Sequence, residues 1–268
     1  MVSAGGYDHF KQLEVVIDAA GIASVTLNRP DRRNAVGIVL HTELSLIFRM
    51  LERDPAVRVI VLTGKGQSFS AGGDLDWMQE MIDDPAIFEN TIREAKEIVC
   101  SMLDCEKPLI AKINGHAVGL GATLALFCDV SFAVVNAKIG DPHVNVGLVA
   151  ADGGAIIWPQ LVGYARAKEY LLTGDLLTAT EAERIGLINR VVAAEELDAV
   201  VDVFANRLAS GAQKALRWTK ATINIGLKQI ATAALDAGLA YEGMSNLSPD
   251  HIEAVTAFRE NRPPIFSR

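Results

Sequence analysis

Hydrophobic and polar positions alternate over residues 13–28: Leu13, Val15 and Ile17, then Ala20-Gly21, then Val25 and Leu27 before Asn28-Arg29-Pro30. Period two around a glycine turn predicts a β-hairpin. The period then changes. Leu40, Leu44, Ile47 and Leu51 recur at helical spacing, and Asp54-Pro55 ends that helix. A continuous apolar run over 57–62 predicts a buried strand. The unit recurs with a loop over 65–74, a helical stretch from Trp77 to Met81, a longer helix over about 86–104 and a strand over 109–113. A glycine-rich loop over 115–121, a helix over 122–127 and a strand over 130–135 follow. Such alternation predicts an α/β protein. Beyond about residue 150 the strand signals fade. Thr178 with Glu181 fits a capping box and Gly186 a helix stop, while Pro159 predicts a kink or an early end to the helix after Gly154. Roughly 195–260 reads as helical. The expected division is an α/β core over residues 1–195 and a helical region over 196–268.

Composition narrows the class. Of 268 residues, half are hydrophobic and 22% charged, which is globular rather than disordered. A net charge of −8 argues against general nucleic-acid or anionic-membrane binding. Cys100, Cys105 and Cys128 form no paired framework and read as reduced thiols. The first residues show no apolar signal core, and no apolar run approaches the roughly 18 residues of a membrane span. A cytoplasmic protein is expected.

Several familiar sites are excluded. Gly119-Leu120-Gly121 lacks the third glycine of a dinucleotide loop, since Leu124 stands there, and Gly64-Lys65-Gly66 lacks the remainder of a P-loop. There is no Gly-x-Ser-x-Gly elbow or His-Glu-x-x-His pair. The five histidines are dispersed, so no metal is expected. Two glycine-rich loops remain, over 68–75 and 114–122, each after a strand and the second running into an apolar helix. Glycines let a backbone approach a ligand closely, and amides at a helix start suit a developing oxyanion.

Phe69-Ser70-Ala71-Gly72-Gly73-Asp74-Leu75, Ile113-Asn114-Gly115-His116-Ala117-Val118-Gly119-Leu120-Gly121 and Cys128-Asp129 resemble the crotonase superfamily, the enoyl-CoA hydratases and isomerases. Asn28-Arg29-Pro30 with Asn34-Ala35, Leu172-Thr173-Gly174 and Phe258 to Pro263 resemble it as well, so the likeness spans the chain. It implies a spiral of ββα units with a helical C-terminal trimerisation region, assembled as a homotrimer or dimer of trimers. It implies a coenzyme A thioester as substrate and no permanently bound cofactor. By position, the oxyanion hole is the amides of Gly73 and Leu120. Ala35, Ala71 and Leu75 match CoA contacts, with Gly72, Asp74, Gly119 and Thr123 completing the expected substrate-binding set. Asp74 is expected to hold its loop.

The resemblance breaks where hydratases of this family carry two glutamates. The matching positions are Thr123 and His143. Threonine is no useful base near neutral pH, whereas an imidazole exchanges protons there. Asp152 is the other candidate, in a loop where some members place a working aspartate; it also fits a helix N-cap before Gly153-Gly154. Asp141 and Asn145 could orient His143 but read more simply as turn residues. Trp77, Met78 and Met81 read as core or as pocket lining. The expected function is an acyl-CoA enzyme of enoyl-CoA hydratase/isomerase type, using His143, Asp152 or both. Loss of the glutamates suits isomerisation or a modified lyase better than ordinary hydration. Thioester hydrolysis and non-catalytic CoA-ester binding are the alternatives.

Overall fold

Residues 6–267 are described in the computed structural model; Met1–Gly5 and Arg268, the extreme ends of the two expected regions, lie outside it. The predicted hairpin is present as β1 (Leu13–Ile17) and β2 (Ile22–Leu27), antiparallel with Leu13 opposite Leu27. Helix α1 (Ile38–Arg53) buries Leu40, Leu44, Ile47 and Leu51, the stripe that predicted it.

The next three units share one pattern. Strand β3 (Val59–Gly64) is followed by the short β4 (Ser68–Ser70) and helices α2 (Leu75–Asp83) and α3 (Pro85–Asp104). Then come β5 (Leu109–Ile113), β6 (His116–Val118) and α4 (Leu120–Leu126), and then β7 (Val130–Val134), β8 (Lys138–Gly140) and α5 (Gly154–Thr173). The longer strand of each unit enters one sheet and the shorter strand another. With two later strands, β9 (Leu177–Thr178) and β10 (Arg190–Val192), the six-stranded sheet runs β1-β2-β3-β5-β7-β10 and the four-stranded sheet β4-β6-β8-β9. Adjacent long strands pair in parallel, with Ile60 beside Leu109 and Ile110 beside Val130. All six residues of β3 are buried, as expected of a parallel strand covered on both faces. This is the crotonase-type spiral of ββα units.

Two short strands correct the expectation that strands end near residue 150. β9 (Leu177–Thr178) returns antiparallel to β8, and β10 (Arg190–Val192) adds parallel to β7. At two and three residues they are too short to show alternation. Between them, α6 (Ala179–Arg184) is capped by Thr178, whose hydroxyl accepts from the Glu181 amide at 3.2 Å, and Gly186 follows in the left-handed region. α5 is kinked, as expected, but beyond Pro159 itself. The non-helical residue is Gly163, at φ 79°, a conformation glycine takes at little cost.

Helices α7 (Leu197–Ala209), α8 (Gln213–Asn246) and α9 (Pro249–Arg259) complete the chain. α8 packs along α3 and α5, and α9 lies against α2 and the turn after β8. No described helix is long and apolar enough to cross a membrane.

Candidate active site

The two glycine loops meet. Gly72 has φ +88°, and a Cβ there would stand 2.9 Å from the Val118 carbonyl oxygen and 3.7 Å from the Gly119 Cα. Only glycine permits both the torsion and the approach. Gly119, at φ 54°, turns the chain into α4 and donates its own amide to Gly140 at 2.9 Å. The amides of Gly73 and Leu120 have no hydrogen-bond acceptor among the described residues. Leu120 is the first residue of α4, where the amide has no intrahelical partner and sits at the positive end of the helix dipole.

Asp74 holds the first loop. It accepts from Arg29 Nη2 at 2.9 Å and caps α2 by accepting from the Asp76 amide at 3.0 Å. Arg29 Nη1 donates to the Ala35 carbonyl, so one guanidinium ties the two segments together.

These loops form the wall of a cleft of about 630 Å³. Ala35, Ala71, Gly72, Gly73, Asp74, Leu75 and Gly119 line it, together with His143 and, from α9 and beyond, Phe258, Arg259 and Asn261. Of the bulky trio after the first loop, Met78 lines the cleft while Trp77 and Met81 are buried in the core. Thr123 lies behind the wall, as does Asp152.

His143 sits on a one-turn 3-10 helix, His143–Val146, after β8. Its imidazole reaches the second glycine loop: a Cβ on Gly119 would stand 3.8 Å from His143 Cε1. Nδ1 donates to Asp141 Oδ1, and Nε2 faces Asp152 Oδ2 at 3.6 Å. Asp141 is thus more than a turn residue. Asn145 donates instead to the Gly174 carbonyl at 3.3 Å and has no part in orienting His143. Gly153, not Asp152, occupies the N-cap position of α5, though the Gly154 amide at the helix start still acts on the Asp152 carboxylate, whose Oδ1 accepts from Thr123 Oγ1 at 3.3 Å.

A residue absent from the sequence reading joins this group. Glu242, on α8, is buried beside Asp152, His143 and Asp141, and its Oε2 has no hydrogen-bond partner. Two carboxylates therefore flank one imidazole in a poorly solvated site, with Glu242 near enough for its charge to act on them. Burial alone would depress the His143 pKa, but the charges of Asp141 and Asp152 outweigh it and hold the ring well above the ordinary histidine value. Burial raises Asp152 above the usual carboxylate range, against the pull of His143. Burial and the adjacent Asp152 charge push Glu242 up to about 8. The flanking carboxylates thus favour the protonated ring and burial favours the uncharged form of Glu242, which together limit the net charge buried there.

Asp141, His143 and Asp152 also place one potential ligand atom each within 4.8 Å of one another. Asp141 and His143 Nδ1 are already bonded to each other, and a cation between them would have to break that contact. The arrangement can pass a proton: an imidazole stands at the cleft wall with Asp152 behind it and Gly73 on the same wall. Leu120 is buried and follows the lining residue Gly119 without lining the cleft itself.

Comparison with known proteins identifies the family. Residues 18–268 match the enoyl-CoA hydratase/isomerase family. The chain is 36% identical over 253 residues to a crotonyl-CoA hydratase of Syntrophomonas wolfei, covering 91% of this chain and 94% of the relative. The crystal structure of an enoyl-CoA hydratase/isomerase from Mycobacterium paratuberculosis superimposes with a TM-score of 0.90 at 40% identity, covering 93% of this chain and 99% of that one. A β-diketone hydrolase from the cyanobacterium Anabaena, bound to (S)-3-oxocyclohexyl acetic acid, gives 0.85 at 28% identity, covering 92% and 98%. In fold and along nearly its whole length, this chain belongs to the enoyl-CoA hydratase/isomerase family of the crotonase superfamily.

Proposed function

We propose that the protein is an acyl-CoA-processing enzyme that holds a thioester carbonyl between the amides of Gly73 and Leu120 and moves protons with His143 and Asp152. The observation that carries this reading is the approach of the His143 ring to Gly119, which sets a charged acid beside the amide of the next residue. As the carbonyl gains enolate character, two amides stabilise it; one such donor is typically worth about 2.7–4 kcal/mol of barrier. In hydration, His143 gives a proton to the α-carbon and takes one back from the water whose oxygen bonds to the β-carbon, so the ring ends as it began. Asp152, behind the ring and 3.6 Å from Nε2, exchanges the proton with it during the cycle. Isomerisation needs only the His143 half of this scheme. Coenzyme A enters as part of the substrate, with Ala35, Ala71 and Leu75 along the cleft that would receive it.

The exposed Trp218, Ile223, Ile225, Tyr241 and Met244 of α8 support association of copies through the C-terminal helices, as a homotrimer or dimer of trimers. A cytoplasmic location goes with the reduced-thiol reading of the cysteines, all three of which are free.

A second reading is hydrolysis of a carbon–carbon bond between two carbonyls. An imidazole flanked by carboxylates suits activation of water, and the structural neighbour that hydrolyses β-diketones supports it. Water would add to one carbonyl, the bond to the central carbon would break, and the departing enolate would take a proton, leaving a carboxylic acid and a ketone.

The test is turnover of crotonyl-CoA by wild type, His143→Ala and Asp152→Ala, following enoyl absorbance and product mass together. Hydration that collapses in His143→Ala supports the first reading. Untouched crotonyl-CoA, with cleavage of a cyclic 1,3-diketone by the same preparation, supports the second.

A further inference from the structure

Helix α8 buries a stripe that begins as ordinary core: Ala231, Leu235 and Leu239. One turn on, the same stripe presents Glu242 and then Asn246, both buried. A glutamate at that register would be excluded from a purely structural interface. Burying it costs its hydration, and the unpartnered Oε2 receives nothing in return. On the next residue, Gly243, the helix comes close to the apolar Phe88 and Ile92 of α3. The charged groups near it belong to the candidate site, Asp152 from the loop before α5 with Asp141 and His143 from the turn after β8, and the backbone amide of Ala151 beside Asp152 is its other polar neighbour. Ser245, one turn along α8, donates to the Glu242 carbonyl at 2.8 Å and accepts from the Val149 amide at 3.2 Å, pinning this part of α8 to the loop that carries Asp152. From α9, His251 donates Nδ1 to the Val146 carbonyl at 2.6 Å, and burial keeps that ring neutral to lower pH than usual.

We propose that Glu242 is a positioning residue for the proton transfer: as an uncharged carboxylic acid it lets His143 release its proton to substrate, and as a carboxylate it locks that proton onto the ring. This rests on reading His143 as the proton donor. Glu242 does not line the cleft and acts through its charge. With Glu242 neutral, His143 is held by two carboxylates, Asp141 and Asp152. Once Glu242 ionises, a third negative charge faces the ring from α8, and the imidazolium becomes a weaker acid. Turnover therefore falls on the alkaline side as Glu242 loses its proton, near pH 8. The final helices thereby set the pH range in which the sheet-borne site works.

The experiment is a pH titration of the His143 ring by NMR in wild type, Glu242→Gln and Glu242→Asp, with His143→Gln to assign the resonance. In wild type the His143 signal shows a first inflection as Glu242 ionises, before the ring itself deprotonates. Glu242→Gln abolishes that inflection and lowers the pH of ring deprotonation by roughly one unit, a tenfold change in the proton equilibrium. Glu242→Asp, which keeps the carboxyl, retains the inflection. Infrared difference spectra of wild type labelled with ¹³C-glutamate supply a measurement that needs no variant: a protonated glutamic acid band present at pH 7 and lost by pH 9. Identical His143 titrations in wild type and Glu242→Gln, or no such band at pH 7, overturn the proposal. Both readouts work without substrate, so failure to turn over any acyl-CoA would count against the proposed reaction and leave the role of Glu242 separately decided.

Discussion

Asp141 grips Nδ1 of His143 from two residues upstream, leaving Nε2 directed at Asp152, 3.6 Å away. The ring is fixed in orientation by a buried carboxylate that never reaches the cleft. Replacing Asp141 by Asn keeps the shape and removes the charge. The ring then loses its proton at lower pH, and kcat falls by about tenfold or more with little change in KM. The raised folded-state value also stabilises the fold, fully below the unfolded value of about 6.5 and progressively less as pH climbs through the raised one. Asp141→Asn should therefore lose stability chiefly at neutral and acid pH, which melting curves across pH will show.

Gly72→Ala tests the junction of the two loops. The new Cβ meets the Val118 carbonyl at 2.9 Å in a conformation that disfavours any side chain. A cost of about 1–3 kcal/mol in stability is expected. Acyl-CoA binding, measured by calorimetry, should weaken with it, because relief of the clash separates the two free amides.

Asp74→Ala strands Arg29 and removes the cap of α2. The cap alone is worth about 0.5–2 kcal/mol, and loss of the ion pair adds to it. The loop it restrains carries Gly72 and Gly73 but not His143. KM should rise more than kcat falls, and steady-state kinetics will separate the two.

Glu242→Gln should change stability with pH in a definite direction. A carboxyl whose folded value is raised to about 8 stabilises the fold fully below its unfolded value, and that contribution is lost as pH rises through 8. The glutamine variant escapes this loss. At pH 8–9 it should melt above wild type by roughly 2–4 °C for each kcal/mol recovered, and its melting temperature should vary less between pH 5 and 9.

The parts of this molecule legible in the sequence are those whose physics is local. The hairpin at 13–27 and the stripe Leu40-Leu44-Ile47-Leu51 declare themselves by period, and the glycine loops by composition. The second sheet was hidden because β4, β6 and β8 are three residues each and β9 two, held by pairing with distant segments. His143 and Asp152 were found because they stand at marked positions, but which one faces the cleft depends on how the turn after β8 folds back. Asp141 passed as a turn residue. Glu242 left one signal: an acid at the place where the Ala231-Leu235-Leu239 stripe would next be buried. Without the partner surface, an acid on a long amphipathic helix reads as solvent-facing.

The turn bearing His143 is clasped by segments made well after it. Both sheets, both glycine loops, Asp141, His143 and Asp152 are encoded before residue 193, whereas Glu242, the His251 bond to Val146 and the cleft residues Phe258, Arg259 and Asn261 lie within residues 242–261. During synthesis on a ribosome, a nascent chain that has reached residue 212 would therefore hold both glycine loops but not the groups that close over the His143 turn. On the proposed function, carbonyl binding and controlled proton delivery would mature at different times, the second only once α8 and α9 have emerged and docked.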